Sequence, residues 1–422
     1  MTSLPNVTTK STEFSLAPDV REEIFRLANN SQKNGQSFYL YDTRIMEAKL
    51  RRLRALLPDQ VKVFYAAKAN PHDSFLRSAK TAGAAGIEIA SRGEGDKAIA
   101  AGFAPKELIF TGPGKSVSEL RWSVENGIRT VHVESLTEAH RLNQICVELG
   151  RTQDILIRVN PNFHIHGAQA QFSGDSSKMG VDEDFFRKEL NQFFALSNLR
   201  FRGLHVYAAS GVLDVDPLME NNRRVYQLAQ DIEDQYPGIR CDIIDFGGGF
   251  GIDYGGTGAE FDLVEYARKL RAMTEEFGFE ERELVLELGR YLTADSGWYC
   301  TEILDIKNSL GKLQVVCQGG AHHFRRPVAL GLNHPLEIVQ MGRSKVFADQ
   351  CVISDSNVFI GGPLCNSADR LAPRDVYVAK ADIGDIAVFG LAGAYGLTMS
   401  HVKFLSHEPP QEHELSSETH HR

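Results

Sequence analysis

Short runs of β-branched, aromatic and aliphatic residues alternate with amphipathic stretches of helix length through the middle of the chain. The runs are VKVFYAAKAN (61–70), GIEIA (86–90), ELIFTG (107–112), TVHVES (130–135), DILIRVN (154–160), RFRGLHVY (200–207), CDIIDFGGG (241–249) and ELVLELGR (283–290). Helical patterns fall between nearly all of them, at Gly93–Ala101, Ser116–Asn126, Leu136–Gly150, Pro217–Gln235 and Phe261–Phe277. Eight strand–helix repeats over about 230 residues predict an α/β fold of the (β/α)8 TIM-barrel kind. A doubly wound open sheet has the same periodicity and stays open as an alternative.

After about Leu292 the rhythm changes. Strand-like runs at Gly297–Ile306, Leu313–Cys317, Lys345–Ile353, Ser356–Gly361, Val376–Val378 and Asp385–Phe389 follow one another with few helical stretches. They predict a C-terminal β-rich, Greek-key-like domain, with SFYLYD (37–42) as a further strand. The expected organisation is a flexible 1–20, a segment 21–42 joining the β domain, a barrel over 43–291, the β domain over 292–406, and a disordered tail over 407–422.

The composition narrows the class. Of 422 residues, 46 are Lys or Arg and 55 are Asp or Glu, a net charge of −9. That argues against a nucleic-acid coat. The longest apolar stretch, Ala387 to Leu397, is too short and glycine-rich to span a bilayer, and Met1 to Ser15 has no secretory pattern. Six cysteines without a CxxC pair suggest a reduced, cytoplasmic protein and no zinc knuckle.

In a barrel the chemistry sits at the C-terminal strand ends. Lys68 follows four apolar or small residues there, and desolvation would free its amine for Schiff-base chemistry. A plain mouth lysine is the alternative. DFGGGFG puts Gly247, Gly248 and Gly249 at the seventh strand end, where backbone N–H groups can crowd an anion; no GK[ST] follows, so this is not a Walker loop. ELGR places Glu287, Gly289 and Arg290 at the eighth, suited to a cofactor's ring nitrogen and phosphate, or to a plain salt bridge. His205, near the end of the sixth run, could stack on a flat cofactor or pack as a core histidine. In the β region, GPLCNSAD brings Cys365 near Asp369, and GAYG sets Tyr395 between glycines.

The order KAN, SRGE, GPGK, HVY, GGGFG, ELGR, GPLC…D, GAYG resembles the fold type III pyridoxal phosphate-dependent decarboxylases, the ornithine/diaminopimelate/arginine decarboxylase family, from about Phe38 to about Leu405. The resemblance implies pyridoxal 5'-phosphate as cofactor, with Lys68 as the lysine of the internal aldimine. It implies His205 on the pyridine ring, Gly247, Gly248 and Gly249 at the phosphate with Gly289, Arg290 and Tyr395, and Glu287 on the ring nitrogen. Glu88 and Arg158 match positions lining the cofactor cavity. Cys365 matches the residue that a partner subunit places at the substrate as proton donor, so a homodimer with shared sites is implied. His323, Arg325, Arg326 and Asp369 match a substrate-facing region, together with His322; no metal is implied.

The sequence departs from the commonest members. The usual HxGSQ reads HVYAASG, EPGR reads ELGR, and the acid after the cysteine is replaced by Asn366. These features look closest to a biosynthetic subgroup that includes butirosin-type decarboxylases of glutamyl groups on carrier proteins, with siderophore and peptide-antibiotic relatives. The substrate implied is an amino acid or amino-acyl conjugate, such as one carried on a protein or peptide. A free diaminopimelate or ornithine substrate is the first alternative and a racemase the second; Glu287 speaks against the racemase, which should place an arginine at the ring nitrogen. A non-catalytic relative is a third, opposed by the presence of Lys68, Glu287, Arg290, Cys365 and Tyr395. HIH (His164 to His166) has metal-like spacing without a third ligand, and the loop Asn162 to Lys178 has the composition of a mobile lid.

Overall fold

The computed structural model describes residues 14–30, 37–162, 170–171, 176–343 and 345–415. The HIH run, most of the 162–178 loop, Met1–Glu13 and the end of the tail lie outside them. The chain divides into two compact units, one of residues 44–252 and 260–293, the other gathering residues up to Thr43, Asp253–Ala259 and those from Ala294 onward.

The first unit is a closed parallel barrel. Its strands are β1 (Val61–Ala66), β2 (Gly86–Ile89), β3 (Leu108–Phe110), β4 (Thr130–Val133), β5 (Gln153–Asn160), β6 (Leu199–His205), β7 (Ile243–Asp245) and β8 (Glu283–Leu288). Each pairs in parallel with the next. Pairing of β8 with β1, from Leu284↔Val61 to Leu288↔Tyr65, closes the ring and removes the open-sheet alternative. Three successive helices start on Ser-x-x-Glu: Ser91, Ser116 and Ser135 each accept from the backbone N–H of the glutamate three residues on, which ties strand end to helix start. The helices match the predicted ones, and Asp73–Thr81 and Glu183–Phe194 are additional.

Strand periodicity fills the barrel in layers. Phe64, Ile109, Leu156, Ile243 and Val285 pack into one buried apolar cluster. Two residues further along, on the same face, stand Thr111, Arg158, Asp245 and Glu287. The barrel is thus floored by hydrocarbon, and its C-terminal layer is polar.

In the second unit one sheet runs in the order Leu336–Val339, Ile386–Phe389, Gly297–Ser309, Lys312–Cys317, Ile353–Gly361, Val376–Ala381. Ser37–Tyr41 adds to Gly297–Ser309 antiparallel, so the N-terminal segment belongs to this sheet. Three expectations need correction. Within the tail expected to be disordered, Gln411–Glu414 forms a strand parallel to Ser37–Tyr41. The Phe38 ring packs on His413, and the Tyr41 hydroxyl donates to Glu412 at 2.8 Å. Lys345–Ile353 is not a strand; Val346 and Phe347 are exposed, and the Gln350 side chain folds the run back by accepting from the Val346 N–H at 2.7 Å. Within the expected flexible 1–20, a helix begins at Pro18. Asp253–Ala259 also leaves the barrel unit; Tyr254 packs against His334 and under the Arg326 guanidinium, 4.5 Å from its ring centroid.

Candidate active site

The polar layer of the barrel forms one connected site. Lys68 sits on a single 3-10 turn, Ala67–Ala69, just past the end of β1. Its Nζ donates to the Glu88 carboxylate at 3.0 Å and lies 5.6 Å from the Tyr207 ring centroid. Glu88, on β2, is fully buried and also accepts from the Thr111 hydroxyl. The lysine side chain keeps about a third of its surface, 36%, open. It is an amine held in place and still accessible.

Opposite polarity occupies the next strands. Arg158 meets Glu134 at 3.0 Å, and Glu134 also accepts from the N–H groups of Gly112 and Gly180. Lys115 is buried against Glu138 at 2.8 Å and donates to the His132 carbonyl. Each buried charge thus has an opposite charge beside it.

His205, Asp245 and Glu287 close the layer. His205 Nε2 is 3.5 Å from Glu287 Oε2, and Asp245 Oδ1 accepts from the Gly247 N–H at 2.8 Å. Burial pushes Glu287 well above the usual carboxylate range, helped by repulsion from Asp245 and Glu88. Burial pushes Asp245 up to about 8. Burial likewise drives His205 and His132 well below the ordinary imidazole value, so both rings are neutral. Glu287 Oε1 is buried with no hydrogen-bond partner among the described residues.

The glycines after β7 make a cradle. Gly247 has φ +64°, a left-handed conformation, and a Cβ there would press on the Tyr207 ring. A Cβ at Gly248 would run into the Glu287 carbonyl. A Cβ at Gly289 would strike Ala69 at 2.8 Å, so ELGR needs its glycine to pass beside the Lys68 turn. Arg290 Nη2 donates to the Ser210 hydroxyl at 3.4 Å, a meeting of the ELGR and HVYAASG motifs.

The structure therefore gathers Lys68, Glu88, Arg158, His205, Gly247, Gly248, Gly249, Glu287, Gly289 and Arg290 in the barrel unit. The other predicted residues lie in the β unit. Cys365 is exposed. Asp369 is buried and spent on backbone, accepting from Ala321 N–H at 2.6 Å and Leu364 N–H at 2.8 Å; it fastens the turn that carries Cys365. His323 donates from Nε2 to the Glu408 carbonyl at 2.9 Å, and the His322 ring packs against it at a tilt of 43°, with centroids 3.9 Å apart. Burial lowers them to about 4 and about 3, so neither is a cation. Arg326 is buried between the Tyr254 and Tyr395 rings, whereas Arg325 is exposed. Tyr395 has φ +54°, a strained conformation for a tyrosine, between its two glycines.

Sequence reasoning missed His132, Asp245, Thr111 and Glu134. The signal was period 2: in TVHVES, Thr130, His132 and Glu134 are polar at every second position.

These residues fit one kind of cofactor. An amine, a deeply buried carboxylate with an unengaged oxygen, and a glycine cradle beside an arginine suit an aldehyde, a basic ring nitrogen and a phosphate. The chain belongs to the pyridoxal-dependent decarboxylases: the pyridoxal-binding domain of that family matches residues 43–294. It is a carboxy-lyase of this family. It is 32% identical over 382 residues to the 2-[(L-alanin-3-ylcarbamoyl)methyl]-2-hydroxybutanedioate decarboxylase of Staphylococcus aureus, covering 90% of this chain and 94% of that one. It is 32% identical over 386 residues to the L-glutamyl-[BtrI acyl-carrier protein] decarboxylase of Niallia circulans, covering 89% and 87%. Among solved structures, diaminopimelate decarboxylase from Helicobacter pylori superimposes with a TM-score of 0.81 at 25% identity, covering 93% and 94%. Among the described residues, no helix is long and apolar enough to cross a membrane.

Proposed function

We propose that this protein removes the α-carboxylate from an amino acid that is joined through its side chain to a larger body, using pyridoxal phosphate held in the barrel. The observation behind this proposal is Glu287, a fully buried carboxylate with one oxygen unengaged in the same polar layer as Glu88, which holds the accessible Lys68 amine. A carboxylate there keeps a ring nitrogen protonated; a racemase would favour an arginine at that place. When bound, the cofactor supplies an electron-withdrawing ring that takes up the electron pair left as CO2 departs.

The residues divide the work. Lys68 would supply the amine for the cofactor's aldehyde, with Glu88 holding it. Glu287 holds the proton of the ring nitrogen. His205 supplies a flat, neutral imidazole as packing partner. Gly247, Gly248, Gly249, Gly289 and Arg290 hold the phosphate. Arg158 balances the negative charge of the layer through Glu134. Arg325 and Arg326 serve substrate carboxylates; His323 and Asp369 instead hold the loops around them.

Cys365 delivers a proton to the substrate carbon in the site of a second copy, and its exposure in the single chain supports a homodimer with shared sites. Substrate class follows the relatives. An L-alanin-3-yl group in carbamoyl linkage and an L-glutamyl group on a carrier protein are both amino acids attached to something larger. The loss of the usual acid after Cys365, replaced by Asn366, supports the same class over a free diamino acid. Six free cysteines fit a reducing, cytoplasmic setting. Incubation of the purified protein with pyridoxal phosphate and a panel of such conjugates, read by mass loss of CO2, tests the proposal. Normal turnover of free diaminopimelate would overturn the substrate class.

A further inference from the structure

His132 lies on β4 with its ring wholly buried. Its Nδ1 is 3.1 Å from the Nδ1 of His205, and its Nε2 is 3.3 Å from the Thr130 hydroxyl. A hydrogen bond between two Nδ1 atoms holds one proton, so one ring donates and the other accepts. Two settings follow. In the first, Thr130 donates to His132 Nε2, His132 donates from Nδ1, and His205 carries its own proton on Nε2. In the second, every bond runs the other way and His205 Nε2 is bare.

The carboxylates decide between them. His205 Nε2 is 3.5 Å from Glu287 Oε2. His132 Nδ1 is 3.8 Å from Glu287 Oε1 and 4.0 Å from Asp245 Oδ2. The His132 Nδ1 position is spent on His205 in either setting, so the His205 Nε2 approach discriminates: the first setting turns an N–H toward Glu287 Oε2, the second a lone pair. In a water-free interior that difference is large, because no solvent screens it. Burial keeps both rings neutral, so the choice concerns the position of a proton and not the addition of one.

We propose that His132 is a positioning residue: backed by Thr130, it fixes His205 as the Nε2–H tautomer and directs that N–H at Glu287. This deepens the proposed function, since His205 and Glu287 belong to the proposed cofactor site. His132 touches neither substrate nor cofactor in this account. It acts through His205, whose Nε2–H then faces Glu287 Oε2 across 3.5 Å without a formed hydrogen bond, a dipole that favours the ionised carboxylate.

The test is ring-nitrogen NMR on cofactor-free protein labelled with 15N-histidine, with the His205 signals identified by their loss in His205→Asn. The expected result is a protonated Nε2 and a bare Nδ1 on His205. His132→Asn places an amide N–H where Nδ1 stood and should keep that pattern. His132→Leu removes the donor and should move both His205 nitrogens toward a mixture of tautomers. A wild-type His205 protonated on Nδ1 overturns the proposal, as does an unchanged pattern in His132→Leu. If neither variant folds, the wild-type spectrum decides alone. The four ligand-type atoms of His132, His205, Asp245 and Glu287 lie within 4.8 Å of one another, so elemental analysis belongs to the test. A stoichiometric divalent cation would need the ring lone pairs and would overturn the assignment. The spectrum is read without cofactor or substrate, so it succeeds or fails independently of whether the protein decarboxylates anything.

Discussion

Lys68 donates to the Glu88 carboxylate at 3.0 Å, and the Thr111 hydroxyl donates to the same carboxylate from the neighbouring strand. The acid is fixed from one side and fixes the amine on the other. Glu88→Gln keeps the acceptor for Thr111 and loses the charge. A charge-assisted hydrogen bond of about 1.5–3 kcal/mol corresponds to a roughly 10- to 150-fold loss of turnover. The expected outcome is that loss in kcat with an unchanged melting temperature; equal kcat would remove Glu88 from the account.

Lys68→Ala should abolish the visible absorbance of protein-bound pyridoxal phosphate and lower turnover by at least about 1,000-fold. Spectra of the variant reconstituted with the cofactor check this. A surviving band would mean that another amine holds the aldehyde.

Asp245 is pushed up to about 8 by burial, against an ordinary 3.8. The unfolded chain ionises this carboxyl from about pH 4 upward, whereas the fold holds it protonated. Its contribution to stability therefore falls as pH rises through that window and returns as pH drops below it. Asp245→Asn keeps the oxygen that accepts from the Gly247 N–H and removes the ionisation. The cofactor-free variant should be more stable than wild type at pH 7 by about 1–3 kcal/mol. The gap should close near pH 4. Denaturant titrations at both pH values measure it, and a gap independent of pH would show that Asp245 is ionised in the fold.

Cys365 and Lys68 are assigned to the same reaction from different subunits. Lys68→Ala and Cys365→Ala, each inactive as a pure dimer, should then complement when mixed. Random exchange makes half the dimers mixed, and each mixed dimer carries one intact site, so about a quarter of wild-type activity returns. No recovery after verified subunit exchange would place Cys365 in the site of its own chain.

The barrel was legible in the sequence because each buried strand is a short apolar run and each helix carries its own start signal, as at Ser116 and Glu119. Lys68, His205, Glu287 and the Gly247–Gly249 turn were legible because strand ends are where barrel chemistry lies. His132 was not, because a histidine between Val131 and Val133 reads as one packed strand residue until its partner across the barrel is known. The Gln411–Glu414 strand escaped notice because QEHE has no apolar position at all; pairing with Ser37–Tyr41 makes it a strand. Lys345–Ile353 misled in the opposite way, with apolar residues that the fold leaves in solvent. The hydrogen bonds of Asp369 to the Ala321 N–H and of His323 to the Glu408 carbonyl are visible only in the folded turns.

The central claim is α-decarboxylation at the Lys68–Glu287 site. Its most direct test follows CO2 release from an amino acid linked through its side chain to a hydroxy-polycarboxylate or to a carrier protein, with and without pyridoxal phosphate. The account predicts cofactor-dependent release of one CO2 per substrate and an amine product, with neither formed by Lys68→Ala. Racemised substrate with its carboxylate intact, or release that persists without Lys68, would contradict it.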